Sequence, residues 1–262
     1  MKGIPKRKYR RQMIVLIVIA SVLVVLAGIC LWGAWENTAV QLHRVRVREQ
    51  ALPAAFDGFT IAHVSDLHNA SFGEGQARLA ELLKEAAPDI IAVTGDVIDK
   101  RRPGMQNAID FFAAAVRTAP VYYVPGNHEA VSSEYPALRE AILALGVTVL
   151  EDEAVSLERG GEQILLAGVR DPIFTTSDAE QNTSLMREKL DSVLPEIRPY
   201  TVLLTHRPEL FATYREAGVN LTLAGHAHGG QFRLPWGQGI IAPNQGLFPK
   251  YTQGIYEEEG GK

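Results

Sequence analysis

Five short apolar runs in this 262-residue chain each end on residue types that bind metal ions. The run closing at Ser65 is followed by Asp66 and His68, and the run closing at Thr94 by Gly95, Asp96 and Asp99. A third leads into Gly126, Asn127, His128 and Glu129, a fourth into His206, and a fifth into Gly225, His226 and His228. Amphipathic stretches lie between the runs. Residues 75–87 carry Leu79, Leu82, Leu83 and Ala86 as one apolar stripe at helical spacing. Strands alternating with helices predict an α/β domain with buried, largely parallel strands. In open α/β sheets, sites form outside the carboxyl ends of the strands, which is where these polar residues fall.

The pattern predicts strands over 40–48, 59–65, 90–94, 121–124, 164–167, 201–205 and 220–224. Helices are predicted over 75–87, 105–117, 134–145, 183–193 and 209–217. Pro88 and Pro120 close two of the helices, and Pro208 opens the last. Segments 147–150, 154–157 and 231–241 add strand and hairpin character, so a mixed or two-sheet arrangement is expected. Asp66-x-His68 and His226-x-His228 would place paired side chains on one side of an extended backbone. Carboxylate, imidazole and amide oxygen together suit Mn, Fe, Zn, Co or Ni. Asp66, His68, Asp96, Asn127, His206, His226 and His228 are too many for one tetrahedral ion and suit two. Two-ion sites, with ions about 3.5–4 Å apart, serve displacement at phosphorus. Gly95, Gly126 and Gly225 are expected to let the backbone turn sharply there. Any one of these histidines alone reads as a satisfied core residue, whereas the ordered set reads as a site. His43 and His63, within predicted strands, read as structural.

Charge divides the chain. Residues 1–12 hold Lys2, Lys6, Arg7, Lys8, Arg10 and Arg11 and no acid, while the whole chain has a formal charge of -4. The remaining body is therefore acidic, which argues against nucleic acid as a partner. A single cysteine, Cys30, excludes an intramolecular disulfide and a Cys-based zinc cluster. Residues 13–35 carry no charge and are long enough to span the roughly 30 Å hydrocarbon core, with Trp32 and Trp35 at the far end. The run is longer than a signal-peptide core and lacks a small-residue cleavage site, so an uncleaved anchor is favoured over release by cleavage. The organisation expected is a basic tail (1–12), a transmembrane signal anchor (13–35) and one domain (36–262). Basic flanks stay cytoplasmic, so the N-terminus is expected in the cytoplasm and the catalytic domain on the extracytoplasmic side of the cell membrane. The protein is expected to be a single-pass membrane monomer.

The full set of Asp66-x-His68, Gly95-Asp96-x-x-Asp99, Gly126-Asn127-His128-Glu129, His206 and Gly225-His226-x-His228 resembles the motifs of the calcineurin-like metallophosphoesterases. The resemblance runs from about residue 40 to 256. It is nearest to a membrane-associated bacterial branch of phosphodiesterases, through FDGFTIAHVSDLHN, GHAHGGQFRLPWG and KYTQGIY. It implies a four-layered α/β/β/α sandwich with two divalent metal ions at the strand ends. By that resemblance Asp66, His68 and His228 hold one ion, and Asn127, His206 and His226 the other. Asp96 bridges them, and His128 is the catalytic histidine that protonates the leaving group. Asp99 and Glu129 fix the ligands, and Asp171 lies in a loop on the substrate side. The implied reaction is hydrolysis of a phosphate mono- or diester on an envelope or lipid-linked substrate, by a hydroxide that the two ions share. A metal-binding scaffold or ligand-binding module at the membrane surface is the alternative. Members of the branch continue with further strands beyond the Lys250–Tyr256 motif, so the last strands of the second sheet are expected to be missing here.

Overall fold

A computed structural model of the chain describes residues 6–36, 39–197, 199–233 and 239–258. Residues 1–5 of the predicted basic tail, and 234–238 of the predicted 231–241 hairpin, lie outside them. The chain divides into two compact units, Met1–His43 and Arg44–Lys262. The first is built on one helix, α1 (Lys6–Glu36). Its stretch Tyr9–Glu36 is apolar and unburied, and at about 1.5 Å per residue it exceeds a hydrocarbon core about 30 Å thick.

The second unit contains β1 (Ile61–Val64), α2 (Ala77–Ala86), β2 (Ile90–Val93), α3 (Gln106–Ala115), β3 (Val121–Tyr123), α4 (Asn127–Ala130), α5 (Tyr135–Ala144) and β4 (Thr148–Val149). It continues with β5 (Glu153–Arg159), β6 (Glu162–Gly168), α6 (Asn182–Val193), β7 (Thr201–Leu204), α7 (Phe211–Glu216) and β8 (Leu221–Leu223). Strands β9 (Gln231–Arg233), β10 (Gly239–Ala242) and β11 (Gly246–Leu247) follow. β1 to β4 pair in sequence order as an all-parallel sheet. A second sheet runs β5-β6-β7-β8, antiparallel only at the β5–β6 hairpin. β11-β10-β9 form a small antiparallel sheet.

The two large sheets pack face to face. Ile90 and Ala92 of β2 share one apolar cluster with Ile164 and Leu166 of β6 and Val202 and Leu204 of β7. Alternate residues of the same strands face outward, so Leu165, Ala167 and Leu203 meet Met186 and Leu190 of α6 and Tyr214 of α7. On the other side Phe112 of α3 packs edge-on to Tyr123 of β3, with ring centroids 5.3 Å apart. The result is the four-layered α/β/β/α sandwich.

Some expectations are corrected. Residues 40–48 form no strand despite their alternation. Val45 is exposed, and Arg44 instead donates to the Glu85 carbonyl at 2.8 Å. α2 starts at Ala77, because Gly75 and Gln76 adopt left-handed backbone (φ 55 and 60). The buried Gln76 amide there ties loop residues Ala70 and Phe72 to Asn107 at the start of α3. Pro208 opens a 3-10 turn, and α7 begins at Phe211.

Candidate metal centre

Register brings the donors together. Val64 pairs with Val93 and Val93 with Tyr123, while Gly168 pairs with Leu204 and Leu204 with Leu223. The carboxyl ends of both sheets are thus level, and the loops after β1, β2, β3, β7 and β8 meet. Backbone bonds sew two of these loops together beyond the strands. The Asp66 N–H donates to the Gly95 carbonyl, and the His68 N–H to that of Asp96, at 3.0 and 2.9 Å. Asp66, His68, Asp96, His226 and His228 all have positive φ, between 46 and 65. The Asp-x-His and His-x-His segments are therefore left-handed turns, not extended backbone. His226 and His228 consequently serve different groups.

Donor atoms of Asp66, His68 and His228 lie within 4.8 Å of one another, and so do those of Asp96, His206 and His226. His68 Nε2 is 3.3 Å from His228 Nε2. His206 Nδ1 lies 2.7 Å from the Thr94 carbonyl, which fixes its N–H there. Nε2 then faces Asn127 Oδ1 at 3.1 Å and Asp96 Oδ2 at 3.2 Å, where it would donate when protonated and offer its lone pair to a bound cation. Asp96 Oδ2 is also 3.7 Å from His68 Nε2, so one carboxylate oxygen stands between the two groups. Imidazole, carboxylate and amide oxygens converging in this way fit two divalent cations.

The electrostatics fit cations as well. Burial alone would lower the His206 pKa, but Asp96 and Asp66 outweigh it and hold it up at about 10. His226, desolvated and beside His206 and Arg207, is pushed down to about 3. The carboxylates thus call for positive charge, and without an ion a proton on His206 provides it.

Glycines make the room. Gly95 alone of the three turns left-handed, with φ +90. Gly126 and Gly225 act by closeness instead, which corrects the expected turn. A methyl group on Gly225 would lie 1.9 Å from Ser65 Oγ and 2.5 Å from Asp66 Oδ2, and one on Gly126 2.4 Å from Asp96 Oδ1.

The remaining predicted residues fall as follows. Glu129 is buried and accepts the backbone N–H groups of Asp96, Gly126 and Ile98 at 2.7, 2.8 and 3.1 Å. Burial and the Asp96 charge push its pKa up to about 7. Asp99 lies between two rings, 3.3 Å from His128 Nδ1 and 3.8 Å from His68 Nδ1. His128 packs edge-on to His68 and accepts the Lys100 N–H on Nδ1 at 3.3 Å. Asp171, expected on the substrate side, is fully buried, and both its oxygens accept from Arg207 at 2.5 and 2.9 Å. That occupied carboxylate braces the loop after β6 against the residue next to His206. His63 bonds to Thr94 Oγ1 at 2.7 Å, outside the donor groups.

Sequence reasoning missed Asn244. Its amide lies 3.0 Å from His226 Nε2 and 3.2 Å from Glu209 Oε1, and Glu209 in turn meets Arg207 at 3.4 Å. Pro243-Asn244 reads only as a turn in the sequence, and nothing local marks its far end as touching a donor.

The model of the calcineurin-like phosphoesterase family matches residues 59–230. Metallophosphoesterase YkuE of Bacillus subtilis is 28% identical over 216 residues, covering 80% of this chain and 72% of its own. A transmembrane protein with metallophosphoesterase domain from Danio rerio is 23% identical over 194 residues, covering 71% of this chain and 44% of its own. Among solved structures, phosphopantetheinyl hydrolase of Mycobacterium tuberculosis aligns with a TM-score of 0.47 at 19% identity, over 69% of this chain and 88% of its own.

Proposed function

The chain belongs to the calcineurin-like phosphoesterases, metal-dependent hydrolases with a dimetal centre, and we propose that it cleaves a phosphate mono- or diester of an envelope or lipid-linked substrate. In this reading Asp66, His68 and His228 hold one ion, Asn127, His206 and His226 hold the other, and Asp96 joins them. The observation that carries it is the position of Asp96 Oδ2, 3.2 Å from His206 Nε2 in one group and 3.7 Å from His68 Nε2 in the other. Two divalent ions there would supply an activated water and offset charge on the phosphate oxygens.

The chain's own residues do the rest. Glu129 holds the Asp96 and Gly126 backbones in one geometry through three N–H bonds. Burial lowers the His128 pKa, which favours the neutral ring. With Nδ1 accepting from Lys100, its one proton sits on Nε2, ready for the leaving oxygen. The test is His128→Ala on an aryl phosphodiester, with metal content measured alongside. We expect turnover to fall about 100-fold or more with both ions retained. Unchanged turnover at normal metal content would remove His128 from the reaction.

The membrane-length α1 and the transmembrane relative support a membrane anchor. The basic residues that precede it favour a cytoplasmic N-terminus and an extracytoplasmic domain.

A further inference from the structure

At the β10–β11 hairpin, Leu247 is 67% and Phe248 83% exposed. Among the described residues of Arg44–Lys262 they are the only adjacent pair of large apolar side chains left open to solvent. Phe248 has φ 55, a backbone region bulky residues rarely occupy, and its N–H is held by the Ile240 carbonyl at 2.8 Å. The hairpin therefore holds the backbone that carries the exposed ring.

The surroundings say what covers this tip. Residues 217–256 contain no Asp or Glu, although the chain has 30 of them. The same stretch carries Arg233 and Lys250. Lys250 is exposed and bonds Glu258 at 2.5 Å, so the nearest acid is already matched. Two acids from outside the stretch reach it, Glu258 on Lys250 and Glu209 on Asn244 and Arg207, and both are bonded. Exposed Phe and Leu within an acid-free segment suit a lipid headgroup layer, which repels free carboxylates and takes up apolar side chains. The stretch also holds His226 and His228, and Asn244, three residues before Leu247, reaches His226.

We propose that Leu247 and Phe248 seat in the headgroup layer of the bilayer that α1 crosses, and so bring the metal centre to phosphate esters carried by lipids. The inference rests on the membrane-anchored phosphoesterase reading above. A bilayer is chosen over a protein partner because the chain carries its own membrane helix.

The test places the full chain, one or two copies per disc, in nanodiscs of phosphatidylcholine and phosphatidylglycerol. Amide hydrogen exchange is followed across residues 239–249 for the native chain, F248W and the double variant L247D/F248D, after correction for intrinsic rates. The native chain and F248W should exchange about tenfold more slowly there than L247D/F248D, with β2 equally protected in all three as the control for folding. Equal exchange at the hairpin with β2 intact would overturn the inference, as would protection seen in discs loaded with two copies but not in those loaded with one. A chain that does not float with lipid vesicles would overturn the anchor and this inference together. None of these readouts uses turnover, so a failure of the phosphoesterase reading would be seen separately.

Discussion

Asp66, His68, Asp96, His226 and His228 adopt left-handed backbone, which a branched or charged residue enters only when its surroundings demand it. The cost of each such residue, of order 1 kcal/mol, is met by the loop-to-loop backbone bonds and the buried Glu129 carboxylate. Three predictions belong at this scale. His206, held near pKa 10 by Asp96 and Asp66 against the pull of burial, must give up a proton when a divalent ion binds. Titration calorimetry of the ion-stripped chain in buffers of different ionisation enthalpy should read about one proton released near pH 7.5, and zero release would contradict it. The same raised pKa ties ion-free folding to pH. The stabilising charge on His206 is fully present below about 6.5 and is lost as pH rises toward 10. Glu129, raised to about 7, acts in the same direction between about 4.5 and 7. His226, pushed down to about 3, acts the other way below about 6.5, so urea unfolding of the stripped chain should show stability falling from about pH 7 to 9, where of these three groups His206 alone is titrating. The third prediction concerns Asn244→Ala, which removes the Asn244 contact to the His226 ring. We expect retention of the ion shared by His206 and His226 to weaken about tenfold in competition with a chelator, with the fold unchanged.

Among the elements, the glycines mark where the backbone has no room to spare. Gly225→Ala forces Ser65 and Asp66 aside, and a donor displaced by about 1 Å costs on the order of 100-fold in turnover. Gly168→Ala is a contrasting case, since its methyl group would lie 2.3 Å from Leu150 Cβ and 2.7 Å from Val124 Cγ1, within the contact between the sheets. There we expect about 1–3 kcal/mol of lost stability, read by denaturant unfolding, with ion binding retained at low temperature. Strands with continuous apolar runs, such as β2 and β7, were legible because each is buried on both faces. Residues 40–48 have the alternation of a strand but join no sheet, and alternation alone cannot supply the pairing. The start of α2 was misread because Gln76 earns its left-handed conformation from loop contacts far from any helical pattern.

At the level of the whole molecule, an acidic domain and a membrane-length helix share one chain. If the basic flank sets orientation, an epitope placed before α1 should be sealed from protease in intact cells. One placed after Tyr256 should be cut, and the reverse pattern would invert the proposed topology. The sequence by itself determined the α/β class, the membrane-length helix and the donor residues, because burial, span length and metal chemistry are properties of local residue types and their order. Residue spacing left open how the donors divide, the family resemblance implied a division, and the tertiary structure supplied its geometry. His226 and His228 are two residues apart, yet left-handed turns send them to different groups. It likewise buried Asp171 against Arg207 and brought Asn244 to His226. Such pairings join segments tens of residues apart, and they are fixed by sheet register and loop packing, which no local pattern encodes.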